Sequence, residues 1–143
     1  MTIAEQIAGT SWRLVSFQSE DKSGEIIYPL GKEAEGVIMF TRDQRMAVQI
    51  MATNRESLQS RDFLERLNTD TEVEMAKFGY HAYSGRYKLD EENSTLTTRV
   101  ELSLVHAYIG SDQTRTAKIE ADKLYLSNVR HPERKLVWQK IND

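Results

Sequence analysis

The side chains that could do chemistry in this sequence are few, and their spacing is that of a strand. His81, Tyr83 and Tyr87 are separated by even numbers of residues, as are Gln113 and Arg115. Residues two apart on a strand share a face, so each set can converge on one interior. Arginine and an amide can hold an anionic or polar group, while tyrosine and histidine add hydrogen bonds and aromatic surface. His81, His106 and His131 fall on separate segments, with no pair at metal-ligand spacing. No metal site is expected from them. His81 alone leaves a single-histidine haem site open as a remote alternative. The chain has no cysteine, which excludes disulfides and thiolate ligands. Nucleophile elbow, phosphate loop and dinucleotide fingerprint are all missing from the sequence. No catalytic residue and no cofactor is therefore assigned.

The elements that must position these groups fit one domain over residues 1–143. Hydrophobic residues make up 39% and charged residues 29%, a globular balance. A formal charge of −3, with Lys and Arg scattered among Asp and Glu, argues against nucleic acid as a partner. The opening Met1-Thr2-Ile3-Ala4-Glu5-Gln6-Ile7-Ala8 lacks the basic start and apolar run of a signal peptide. No stretch has the length of a transmembrane helix. A cytoplasmic protein with no membrane partner is the expectation, as a monomer or a homodimer.

Most of the chain reads as short strands divided by turn residues at regular spacing, the pattern of a sandwich or barrel. Thr2-x-x-Glu5 is a capping box that opens a short N-terminal helix. Strands are expected over Trp12–Ser19, Glu25–Tyr28, Val37–Thr41, Arg45–Met51 and His81–Leu89. Four more follow over Leu96–Leu104, Gln113–Ala121, Lys123–Val129 and Lys135–Ile141. Between Thr53 and Gly79 the alternation stops. Phe63, Leu64 and Leu67 share a helical face there, and Thr71-x-x-Glu74 is a second capping box. A helical insert over about 53–79 is expected, lying across one end. Eight to ten antiparallel strands suffice to close a barrel and leave no open edge.

A row of polar side chains marks the outside of a strand. Thr95, Thr97, Arg99, Glu101 and Ser103 form such a row, which predicts Leu96, Thr98, Val100, Leu102 and Leu104 inside. Thr114, Thr116, Lys118 and Glu120 form another, which turns Gln113, Arg115, Ala117 and Ile119 inward. Arg86 and Lys88 place His81, Tyr83, Gly85, Tyr87 and Leu89 inside. Met46, Val48 and Ile50 face in on the strand before the insert. The first strand is ambiguous, because Trp12 and Leu14 lie opposite Val15 and Phe17. Gly85 either leaves room for a ligand or marks a bend.

Several segments together resemble the lipocalin-like domain family of bacterial and fungal proteins. The opening Gly9-Thr10-Ser11-Trp12-Arg13-Leu14-Val15-Ser16-Phe17 is similar to the family's Gly-Thr-Trp start, with one residue inserted before the tryptophan. Ile27-Tyr28-Pro29-Leu30-Gly31, Ala82-Tyr83-Ser84-Gly85-Arg86-Tyr87 and Gly110-Ser111-Asp112-Gln113-Thr114-Arg115 match further segments, as does the closing Leu136-Val137-Trp138. Many members carry histidines where this chain has Thr97-Thr98-Arg99, so a function resting on those histidines is not carried over. The resemblance implies a closed calycin-like all-β barrel. It also implies that an arginine such as Arg115 can stack near the N-terminal tryptophan as a structural group.

The first reading is a non-catalytic protein that binds a small apolar or amphipathic molecule through Arg115, Tyr83, Gln113, Tyr87 and His81. The alternative is an isomerase- or cyclase-like enzyme acting on a small hydrophobic substrate in the same pocket. A third is a filled barrel acting only through its surface. Fold alone does not choose among them.

Overall fold

The alternating apolar and polar residues build one antiparallel sheet that closes on itself. The computed structural model describes residues 1–55 and 79–142. Helix α1 (Ile3–Ile7) is followed by β1 (Thr10–Glu20), β2 (Ile26–Ile27), β3 (Glu35–Phe40) and β4 (Arg45–Met51). Beyond the gap come β5 (Tyr80–Asp90), β6 (Thr95–Ser103), β7 (Asp112–Glu120), β8 (Lys123–Asn128) and β9 (Lys135–Lys140). Neighbours in sequence pair antiparallel from β3 to β9, and β1 pairs with both β3 and β9. Eight strands thus form the barrel, and β2 only extends the end of β1 as a hairpin. The expected strands differ from these by at most two residues at either end, and Arg45–Met51 has the expected bounds. The helical insert expected over about 53–79 falls almost wholly outside the described residues.

The core is built from inward rows on the eight barrel strands. Trp12, Ile38, Phe40, Met46, Val48, Ile50, Tyr87, Leu96, Leu124 and Trp138 are all buried. At one end α1 closes the barrel. The Thr2 hydroxyl accepts from the Glu5 N–H at 3.1 Å, so the predicted cap forms. The Glu91 carboxylate, from the β5–β6 turn, accepts from the Ile3 and Ala4 N–H groups at 3.1 and 2.8 Å. A carboxylate there satisfies orphan donors and complements the helix dipole. Ile7 then drops into the core at 1% exposure.

Two β-bulges correct the facing read from the sequence. Between β5 and β6 the register shifts: Gly85 pairs with Val100, but Ser84 pairs with Leu102, leaving Glu101 as the extra residue. An extra residue reverses the alternation beyond it. Leu102 is consequently outside, at 70% exposure, and the expectation that it points inward is wrong. Glu101 also faces solvent and bonds Arg45 at 2.8 Å. Gly85 is what lets the strands approach here, since a Cβ on it would lie 1.9 Å from the Arg99 carbonyl oxygen. Close strand approach at the bulge, not room for a ligand, explains this glycine.

The second shift lies between Leu14 and Ser16 on β1, against β9. It leaves Val15 exposed while Phe17 packs against the core, alongside Trp12 and Leu14 from before the bulge. The first strand was ambiguous because it changes face partway.

Candidate functional site

Strand direction puts the start of β5, the start of β7, the end of β8 and the start of β9 at the end of the barrel opposite α1. An interior cavity lies toward that end. It offers about 130 Å³ to the centre of a water-sized sphere. Its apolar wall includes Ile38, Val48, Ile50, Leu96, Leu126 and Trp138, and its polar groups are His81, Tyr83, Thr98, Tyr108, Arg115, Asn128 and Arg134. Mostly apolar walls with a few placed polar groups are the usual composition of a small-molecule site. A larger depression of about 790 Å³ opens beside α1 and the outward rows of β7, β8 and β9, and includes Lys118, Tyr125 and Lys135. It is broadly open to solvent and lacks the convergent aromatic and arginine groups, so the smaller interior cavity is the stronger site.

Of the five residues chosen from sequence, the cavity brings together His81, Tyr83 and Arg115. Tyr87 is inward as expected but stands apart. Its ring meets Phe40 edge-on at 5.3 Å, and its hydroxyl reaches the Thr41 carbonyl at 3.4 Å. Gln113 also stands apart from the lining, its amide donating to the Ser111 hydroxyl at 3.0 Å. Three polar lining residues were missed: Tyr108, Asn128 and Arg134. Tyr108 belongs to a 3-10 turn (His106–Tyr108) between β6 and β7, and Arg134 to the loop between β8 and β9. Loops have no alternation, so no facing signal marks such residues in the sequence.

Three rings form one corner of the cavity. His81 lies 5.5 Å from Tyr83 and 5.8 Å from Tyr108, and the two tyrosines are 6.3 Å apart, all tilted or edge-on. These are favourable aromatic geometries, and all three rings line the cavity. Burial, helped by the Arg115 charge, holds the His81 pKa below its usual value. Burial raises that of Tyr83, with Arg115 opposing the shift. Near neutral pH the corner is therefore a neutral imidazole beside an un-ionised phenol.

Arg115 supplies the charge. Its guanidinium donates to the Thr114 carbonyl at 3.3 Å and interacts with the Tyr83 hydroxyl. Ion pairs among the described residues join Arg45 to Glu101, Arg99 to Asp112, Lys118 to Glu120 and His131 to Glu133. None takes in Arg115 or Arg134, and the described residues that line the cavity include no Asp or Glu. Trp138 adds an unused donor: its buried indole N–H has no partner among the described residues. The Trp12 N–H, in contrast, donates to the Thr10 hydroxyl at 2.8 Å.

The match to a lipocalin-like domain model extends over residues 9–141. The chain belongs to the lipocalin-like domain family. This lipocalin-like barrel is also similar to a carrier protein for 4'-hydroxy-3'-methoxypropiophenone from Aspergillus oryzae. The two are 37% identical over 93 residues, which cover 61% of this chain and 81% of the relative.

Proposed function

We propose that this protein binds and carries a small amphipathic molecule with a single aromatic ring, without transforming it. The observation that carries the reading is the cavity itself, whose lining combines apolar residues with His81, Tyr83, Tyr108 and Arg115. Its size supports one ring, because an apolar cavity of roughly 150 Å³ is enough to take up benzene. The unpartnered Trp138 donor supports a ligand bearing an acceptor, since a buried N–H left without one is a cost to the empty barrel. The fungal relative is named for a ligand of this kind, a hydroxyaryl ketone.

Titration with 4'-hydroxy-3'-methoxypropiophenone tests the reading, with tryptophan emission and calorimetry as the two readouts. Saturable binding is expected, with quenching that disappears in Trp138→Phe. Absence of heat and of quenching with this ketone and with simpler aryl ketones would sink it. A second reading, an isomerase or cyclase on the same site, is favoured by the neutral His81 beside the un-ionised Tyr83, a base next to an acid. Its mark would be a product of changed chromatographic mobility, lost in His81→Gln.

A further inference from the structure

Among the described residues, the cavity has cationic groups in excess of anything anionic to meet them. Arg115 is on the inner face of β7, and Arg134 reaches the same cavity from the β8–β9 loop. Guanidinium groups keep their charge at any pH of interest. Withdrawing a charge from water is costly unless it is paired or well hydrogen-bonded, and one backbone carbonyl with one phenol is a thin complement for the partly buried Arg115. The lining of β1, β3, β4, β6, β8 and β9 contributes no titratable side chain, so besides Arg134 the other ionisable groups of the cavity among the described residues are His81, Tyr83 and Tyr108. His81 and Tyr83, held neutral by burial, can bond an oxyanion but do not neutralise Arg115.

We propose that the cavity takes its ligand as an aryl oxyanion, a phenolate whose ring lies in the His81–Tyr83–Tyr108 corner and whose oxygen faces Arg115, with Arg134 at the mouth. The inference rests on the carrier reading and adds the ionisation state of the ligand to it. Its physical basis is that an opposite charge within a few ångströms, in a site shielded from water, favours the ionised form of an acid. The proton of the phenol leaves to solvent on binding; no bond to carbon changes. Arg115 dominates because it is the deeper cation. Arg134 is exposed and screened by water and salt, so its part is smaller.

4-Nitrophenol is the probe, because its phenol and phenolate absorb at different wavelengths, and nitrobenzene is its control without the hydroxyl. At a pH below the ionisation of free nitrophenol, the bound probe should show the phenolate band. Its apparent ionisation should be favoured at least about tenfold over that in water, equivalent to one pKa unit. Nitrobenzene should bind at least about tenfold more weakly than nitrophenol at pH values where the latter ionises. Arg115→Gln should remove the phenolate band, and Arg134→Gln should weaken it by a few-fold while folding normally at its exposed site. If Arg115→Gln does not fold, the wild-type spectrum and Arg134→Gln still decide the matter. Nitrophenol bound as the phenol, or nitrobenzene bound as tightly, would overturn the oxyanion while leaving the carrier reading intact. Failure of both aromatics to bind would overturn the two together.

Discussion

At the end closed by α1, Trp12 and Ile7 fill the interior and the polar groups find partners nearby. The Trp12 indole bonds Thr10, Thr10 in turn bonds the Ile7 carbonyl, and Glu91 caps the helix. At the opposite end the same inward rows hold His81, Tyr83 and Arg115 around a cavity, and the nearby Trp138 N–H is left without a described partner. Both ends are made by one sheet with one alternation. What differs is how completely the polar groups are satisfied, and buried polar groups that the fold leaves incompletely satisfied are where a ligand has something to offer. One end is built for stability, the other for recognition.

Substitutions at the two ends should separate these roles. Trp12→Ala removes the largest side chain of the closed end and should cost about 3–5 kcal/mol, read from urea unfolding. A cost below that of an exposed substitution would mean that this end is not the stable half. Glu91→Ala should cost about 1 kcal/mol by uncapping α1, with a matching fall in melting temperature. Equal stability of variant and parent would show that water caps the helix as well as the carboxylate does.

The open end should answer to pH. The folded-state pKa of His81 lies below its usual 6.5, so between these two values the unfolded chain binds more protons than the folded one. Stability should therefore rise as pH increases through that window and, for this group, level off above it. His81→Gln should flatten that part of the stability–pH curve. An unchanged slope would place the titrating group elsewhere.

Arg115→Met tests the comparison most directly. In ligand-free protein the melting temperature should hold or rise, because a poorly complemented charge is replaced by an apolar chain of similar length. Binding of the aryl ketone should be lost. A clear drop in melting temperature would make Arg115 a structural arginine and the two ends alike. The smallest effect is expected outside the barrel: Leu102→Asp should change stability by less than about 0.5 kcal/mol, since the side chain is already in water. A collapse of that variant would mean that the outer face of β6 is covered in solution.

The alternation of residues, together with the turn residues between strands, determined by itself that the chain is an all-β sandwich or barrel, where each strand runs, and that Arg115, Tyr83 and His81 face in. Alternation is a local property, and pairing of each strand with its neighbours preserves it. The Thr2 cap was legible for the same reason, its partner Glu5 lying only three residues away. Tertiary structure alone decided the rest. The bulges at Val15 and Glu101 depend on register against distant strands, and they turned Phe17 inward and Leu102 outward. Barrel closure decided that Arg115 and Tyr83 share a cavity while Tyr87, on the same inner row of β5, packs against Phe40. Tyr108 and Arg134 reached the site through loops, where side-chain direction is set by the path of the backbone and not by any repeat in the residues.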